Sequence, residues 1–201
     1  MWPIMPKQLP RSLGFKRYAL EFDGIDDYVE VPVYDLGTTF TFEMWVWADH
    51  QTPGAYDYHK DIVRKPNDFA ITTLSDDSFG LTIMAGDTNS DGTGDVWYDH
   101  LYGVLCPRQW NHIALICDYD TGTENIHLWL YVNGRLIWEA TRHVYWVWSD
   151  YQIWIGNGGA GHYKGKVDEV RIYSRALSAE EIWWHYALVF YYDGLRDLMG
   201  R

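Results

Sequence analysis

The groups in this chain that could do chemistry are carboxylates in two places and aromatic rings in three. Asp168 is a carboxylate inside the run Val167-Asp168-Glu169-Val170-Arg171-Ile172, whose β-branched residues read as a strand with one buried face. A half-buried carboxylate must be ion-paired, hydrogen-bonded or bound to a cation. Lys166, Arg171 and Arg175 are candidate cations, and backbone N–H groups are the other option. Asp87-x-Asn89-x-Asp91-Gly92 has the ligand spacing of the first half of a calcium loop, with glycine at the sharp turn and Asp95 at the ninth position. Tyr98 stands at the twelfth position, where such a loop needs a bidentate glutamate. Hairpin tips are also rich in Asp, Asn and Gly for conformational reasons alone.

The aromatic groups are Tyr56 and Tyr58, then Trp97 and Tyr98, then Tyr145, Trp146 and Trp148. Rings of this kind can stack on a sugar or anchor a protein partner, so these seven are the expected ligand-binding residues. No catalytic residues are expected. Neither a G-x-S-x-G elbow nor an H-E-x-x-H helix occurs, and His50, His59, His100 and His162 lack zinc-ligand spacing. His112 reads as a hydrogen-bonded structural histidine.

The elements that must position these groups are mostly strands. Tyr18, Leu20 and Phe22 alternate with polar neighbours, Gly24 to Asp27 makes a turn, and Tyr28 to Val31 resumes a strand stopped by Pro32. Phe40 to Trp47 alternates cleanly, and shorter strands are expected at Ile62–Lys65, Phe69–Leu74, Phe79–Ala85 and Val96–Val104. Trp110–Ile116, Ile126–Val132 and Ile153–Ile155 follow, with Asn133-Gly134 as the strongest hairpin signal in the chain. Ser178 with Glu181 three residues on forms a capping box that starts a helix. Beyond Ile182 the apolar run either extends that helix or adds a strand over Leu188 to Tyr192.

Several of these segments carry a family pattern. Ala19 to Pro32 reads ALEFDGIDDYVEVP, and Tyr163 to Ile182 reads YKGKVDEVRIYSRALSAEEI. Between them lie FTFEMWV, IVRK, WNHIA, LWLYVNG and IWIG. Together they resemble the LamG-like jellyroll domain, a laminin-G/pentraxin-like group within the concanavalin A-like lectin/glucanase superfamily. The resemblance runs over residues 17–187, leaving 1–16 as an irregular leader and 188–201 as an extension packed on or beside the domain. It implies an all-β jellyroll sandwich of two antiparallel sheets with a short C-terminal helix. It also implies one structural calcium, with Asp168 as a side-chain ligand and Asp23 nearby, and a lectin-like or adhesive role. Glu21-x-Asp23-x-x-Asp26 is superficially similar to the catalytic strand of laminarinase-type glucanases, whose carboxyls stand about 5 Å apart. Here the last member is Asp and the segment coincides with the F-D-G turn, so a glycoside hydrolase is a minor alternative.

Charge narrows the partners. The 201 residues carry 16 Lys plus Arg against 28 Asp plus Glu, a formal net charge of −12. Nucleic acid needs a basic footprint, and anionic membrane surfaces need one too. An acidic surface suits hard cations as well as plain solubility. No run of about 18 apolar residues is present to span a membrane. The first seventeen residues, with three prolines, have no apolar core of a signal peptide. Cys106 and Cys117 are either one disulfide or two buried free thiols. The expected function is a calcium-stabilised, non-catalytic module that binds a glycan or protein surface, extracellular, cell-surface or virion-associated. The alternative is a structural or assembly protein that self-associates through its C-terminal segment.

Overall fold

The computed structural model describes residues 19–32, 35–48, 59–66, 69–74, 80–85, 97–106, 108–144, 152–157 and 162–188. The leader, Tyr56, Tyr58, the 86–95 loop with Asp87, Asn89, Asp91 and Asp95, the Tyr145–Trp148 group and residues 189–201 lie outside them.

Two six-stranded antiparallel sheets form the sandwich. Sheet A contains β1 (Leu20–Asp23), β12 (Lys164–Tyr173), β3 (Thr39–Ala48), β8 (Trp110–Asp120), β9 (Asn125–Val132) and β10 (Arg135–His143), in that spatial order. Sheet B contains β2 (Val29–Val31), β11 (Ile153–Ile155), β4 (His59–Lys65), β5 (Phe69–Leu74), β6 (Leu81–Ala85) and β7 (Trp97–Leu101). Among the described residues one helix, α1, covers residues 179–188.

Period-two alternation decides which side chains meet between the sheets. Phe40, Phe42, Met44 and Val46 of β3 are buried against Phe69 and Ile71 of β5, Ile83 of β6 and Ile153 and Ile155 of β11. Phe40 and Phe42 each tilt against Phe69, with ring centroids 5.3 and 5.7 Å apart. At one open edge Arg142 of β10 donates two hydrogen bonds to Asp99 of β7, at 3.2 and 3.0 Å, and so joins the two sheets. The β9–β10 hairpin turns at Asn133-Gly134, both in the left-handed region (φ 51° and 73°), as the Asn-Gly pair requires.

The outward face of sheet A is covered by α1. The capping box forms as expected: Ser178 Oγ accepts from the Glu181 N–H at 3.2 Å, and Glu181 Oε2 accepts from the Ser178 N–H at 2.8 Å. Leu177 and Ile182 then bury against Ala114, Ile116 and Tyr131 in a second, smaller apolar cluster. Thr41 ties the linker down by donating to Arg175 O at 2.8 Å and accepting from the Leu177 N–H at 3.0 Å.

Three readings of the sequence are adjusted here. β7 ends at Leu101 rather than Val104, because Tyr102 and Gly103 turn, with Gly103 at φ 66°. Both cysteines are free, and only Cys117 is buried; Cys106 is exposed. α1 continues through Leu188, so the run beyond Ile182 extends the helix that far.

Candidate functional site

Asp23 and Asp168 are placed apart by register. Asp23 ends β1 opposite Lys164, whereas Asp168 lies four positions further along β12, opposite Trp45 of β3. At about 3.3 Å per residue this is roughly 13 Å, too far for one ion to bind both. Asp168 instead sits at a β-bulge, where the register slips between Asp168 and Arg171 and Glu169 takes φ 52°. Its Oδ1 accepts the Glu169 N–H at 2.8 Å, a bond the extra residue needs once the ladder is interrupted.

Asp23 keeps different company. Its carboxylate, with those of Asp26 and Asp27, offers oxygens all within 4.8 Å of one another on an exposed turn. Asp23 Oδ1 accepts the Ile25 N–H at 2.7 Å and Asp27 Oδ2 accepts the Asp23 N–H at 3.0 Å, so local bonds shape the turn. Glu21, the other acid of the glucanase-like spacing, lies on the edge strand 3.3 Å from Lys166 Nζ, in an exposed ion pair. These acids stand on an outer edge, not in a cleft.

The outward face of sheet A holds a charged cluster under α1 that the sequence reading missed. Glu43 is 1% exposed. Its Oε1 accepts from Arg171 Nη1 at 2.9 Å, and its Oε2 lies 2.8 Å from His185 Nδ1 on α1. His112 Nε2 stands 3.5 Å from Oε1, too long and misaligned for a hydrogen bond, and the ring packs against Trp45 and Tyr186. His112 is thus structural, but neither ring nitrogen has a hydrogen-bond partner among the described residues. Burial alone would raise the Glu43 pKa; the interactions with His112 and His185 outweigh it and bring the carboxyl from the ordinary 4.5 down to about 2. Because the folded value is depressed, this stability is fully present above pH 4.5 and is lost as pH falls toward 2. The exposed Glu181, lowered to about 2 by Arg175 and by Ser178, acts in the same direction. Denaturant midpoints followed through this window should fall for the wild type and fall less for Glu43→Gln.

Sheet B presents the other outward face. Thr82 Oγ1 lies 2.8 Å from His100 Nδ1, so the two side chains meet on one side of the sheet. Thr72 pairs with Thr82, Asp61 pairs with Thr72, and His162 bridges to Asp61. Register therefore lines up His162, Asp61, Thr72, Thr82 and His100 as one polar row across the sheet. Asp61, Thr72 and Thr82 are fully buried, while His100 is exposed. The adjacent row runs Glu30, Trp154, Arg64, Ala70, Met84 and Tyr98. Arg64 joins the rows through Nη1 to Asp61 Oδ2 at 3.2 Å and is 25% exposed. Gln152 donates to Glu30 at 2.9 Å. Tyr98 and Trp97, expected ligand residues, lie on β7 opposite Met84 and Ala85. Trp154, Arg64 and Asp61 were not singled out from sequence, although the alternation of Ile153-Trp154-Ile155 already turns the indole away from the core.

The two packed antiparallel sheets define a jellyroll sandwich. Residues 23–183 match the family model Laminin_G_3, described as concanavalin A-like lectin/glucanases superfamily, and the chain belongs to that family. No curated protein matches it. Among solved structures, the chain is similar to the heptameric SAP-like pentraxin of Limulus polyphemus, at 14% identity and TM-score 0.50, covering 81% of this chain and 78% of the pentraxin. It is also similar to a candidate carbohydrate-binding protein of Bacteroides ovatus (17%, TM-score 0.53, 82% of this chain and 46% of that one). A third is the binding domain of botulinum neurotoxin DC, solved in complex with SialylT (14%, TM-score 0.59, 87% and 43%). The chain therefore spans less than half of the latter two, and identities this low show the fold alone.

Proposed function

We propose that this domain is a non-catalytic binding module that recognises a carbohydrate or a protein surface through the outward face of sheet B. The observation that carries this reading is the polar row His162–Asp61–Thr72–Thr82–His100 beside Trp154 and Arg64. Asp61, Thr72 and Thr82 are the buried members of this row, and His100, Arg64 and Trp154 are the exposed or partly exposed ones that a ligand could meet. The similarity to a candidate carbohydrate-binding protein supports the glycan half of the reading.

Calcium belongs to this proposal as a stabilising ion. The Asp23, Asp26 and Asp27 turn suits a hard cation that takes six to eight oxygens, with backbone and water completing the shell. Asp168 then serves the bulge, and the 86–95 loop is a second proposed site. The place of action is outside a cell, at a cell surface or on a virion. Among the described residues no helix is long and apolar enough to cross a membrane. A glycan array probed with calcium and with EDTA tests the reading, together with melting under both conditions. Glycan binding with a midpoint raised by calcium is expected; at 100-fold over its dissociation constant an ion adds about 2.7 kcal/mol. Silence on every glycan would remove the carbohydrate half, and an unchanged midpoint would remove the calcium.

A second reading, a structural or assembly protein, has its own observation. Leu136 and Ile137 of β10 and Trp184 and Leu188 of α1 are exposed large apolar residues. Self-association through them would appear in sedimentation as concentration-dependent growth, and a monomer at high concentration would sink it.

A further inference from the structure

The outward face of sheet A carries a polar and aromatic strip across β8, β9 and β10, beside the start of α1. Ile126, Leu128 and Leu130 of β9 enter the core, so His127 and Trp129 between them point outward. Register sets Asp118 and Thr141 on either side of His127, and Ile116 and Glu139 on either side of Trp129. The first of these rows is hydrogen-bonded at both ends. Thr39 Oγ1 of β3 donates to Asp118 Oδ1 at 2.6 Å, and Thr141 Oγ1 lies 2.9 Å from His127 Nδ1. The His127 ring stacks along Trp129, with centroids 6.0 Å apart and planes 23° from parallel. Trp129 also packs against the cluster that Leu177 and Ile182 make on this sheet, so the start of α1 rises beside the indole. Solvent reaches every polar member of the strip: Thr141 and Glu139 are exposed, and Asp118, His127 and Trp129 are partly exposed.

These are the groups that hold sugar hydroxyls. Carboxylates accept, a threonine hydroxyl and an imidazole donate or accept, and an indole joins an apolar body to a donor N–H. The bond to Thr141 engages His127 Nδ1, so Nε2 is the ring nitrogen that a ligand would meet. Charge then selects among sugars. Asp118 and Glu139 stand within the strip, and Asp120 and Glu124, both exposed, stand at the ends of β8 and β9 beside it. Hydroxyls donate to such carboxylates, whereas a sugar acid would be repelled by them. Arg142, the neighbour of Thr141 in the chain, is turned to Asp99 on the other sheet. We infer that Asp118, His127, Thr141, Trp129 and Glu139 form a glycan subsite on sheet A that takes uncharged sugars in preference to acidic ones. This rests on the glycan half of the reading above and adds a surface on the opposite sheet to it.

The test is residue-specific. In ¹⁵N-labelled protein the indole cross-peak absent from Trp129→Phe is that of Trp129, and lactose, cellobiose, 3′-sialyllactose and a heparin disaccharide are titrated in turn. A neutral disaccharide should shift that cross-peak. Glu139→Ala, a change at an exposed position, should bind the same sugar about tenfold more weakly at an unchanged melting temperature. If the sialylated or sulfated probe shifts the cross-peak as much as the neutral ones, the preference for uncharged sugars is overturned. If sugars move other resonances but not Trp129's, or if Glu139→Ala binds as tightly as the wild type, the subsite is overturned while the glycan-binding reading stands. If no probe moves any resonance, the glycan reading itself fails, and with it the subsite.

Discussion

Replacing Glu43 with alanine should destabilise the domain by about 3–5 kcal/mol, the range seen when one partner of a buried ion pair is removed. The carboxylate is 1% exposed and receives Arg171 from β12 and His185 from α1, so it joins three elements through one side chain. Without it the guanidinium and the imidazole lose their acceptor under the helix, and His112 faces a cavity. The damage should be local before it is global. α1 is held otherwise by Leu177, Ile182 and the Thr41 bonds near its start, and by Tyr186 stacked on Trp45 at 5.8 Å in its later turn. Hydrogen exchange should therefore show the amides near His185 opening well before those of β3 and β8. Glu43→Gln, which keeps the volume and one acceptor, should cost less. Equal exchange in helix and sheet, or a loss below 1 kcal/mol, would show that the cluster does not dock the helix.

The second large effect is expected at Gly156, just after β11. Its φ is +86°, which disfavours any residue with a Cβ, and a Cβ built there would run into the Phe22 ring. The backbone cannot swing away, because its N–H donates to Ile62 O at 2.9 Å and its carbonyl accepts from the Tyr163 N–H at 2.9 Å. Gly156→Ala thus combines dihedral strain with overpacking, together about 3 kcal/mol or more. In a domain of this size that corresponds to a melting point lower by roughly 10 °C. Phe22 packs edge-on against Tyr163, at 6.1 Å, so the clash falls where β1, β11 and β12 come together. The double variant Gly156→Ala with Phe22→Ala should cost less than the sum of the two single ones, because the removed ring makes room for the new methyl. Strict additivity would mean that Phe22 is not what excludes the side chain.

What was legible in the sequence was what nearby residues decide. The Ser178–Glu181 capping box and the Asn133-Gly134 turn each close within a few residues, so their partners are written next to them. Alternation likewise told which side chains of Phe40–Trp47 face the core. It misled about Glu43, which alternation alone would leave exposed; the hint was that Trp45 and Trp47 share its side, an apolar company that only a covered face tolerates. Asp168 was ambiguous because a bulge is a relation between two strands, and Trp45 and Glu43 on β3 are what show the extra residue.

The sequence by itself determined an all-β jellyroll, its strands, its capped helix and the exposed acidic turn at Asp23. Only the tertiary structure decided which residues share a site. Period-two patterning assigns a side chain to one of two faces but carries no information about which strand lies beside it. Trp154 and Arg64 are ninety positions apart, and Glu43 and His185 are farther apart still. Their meeting follows from closing two sheets and docking a helix over one of them, an outcome of the packing of the whole chain and of no single stretch of it.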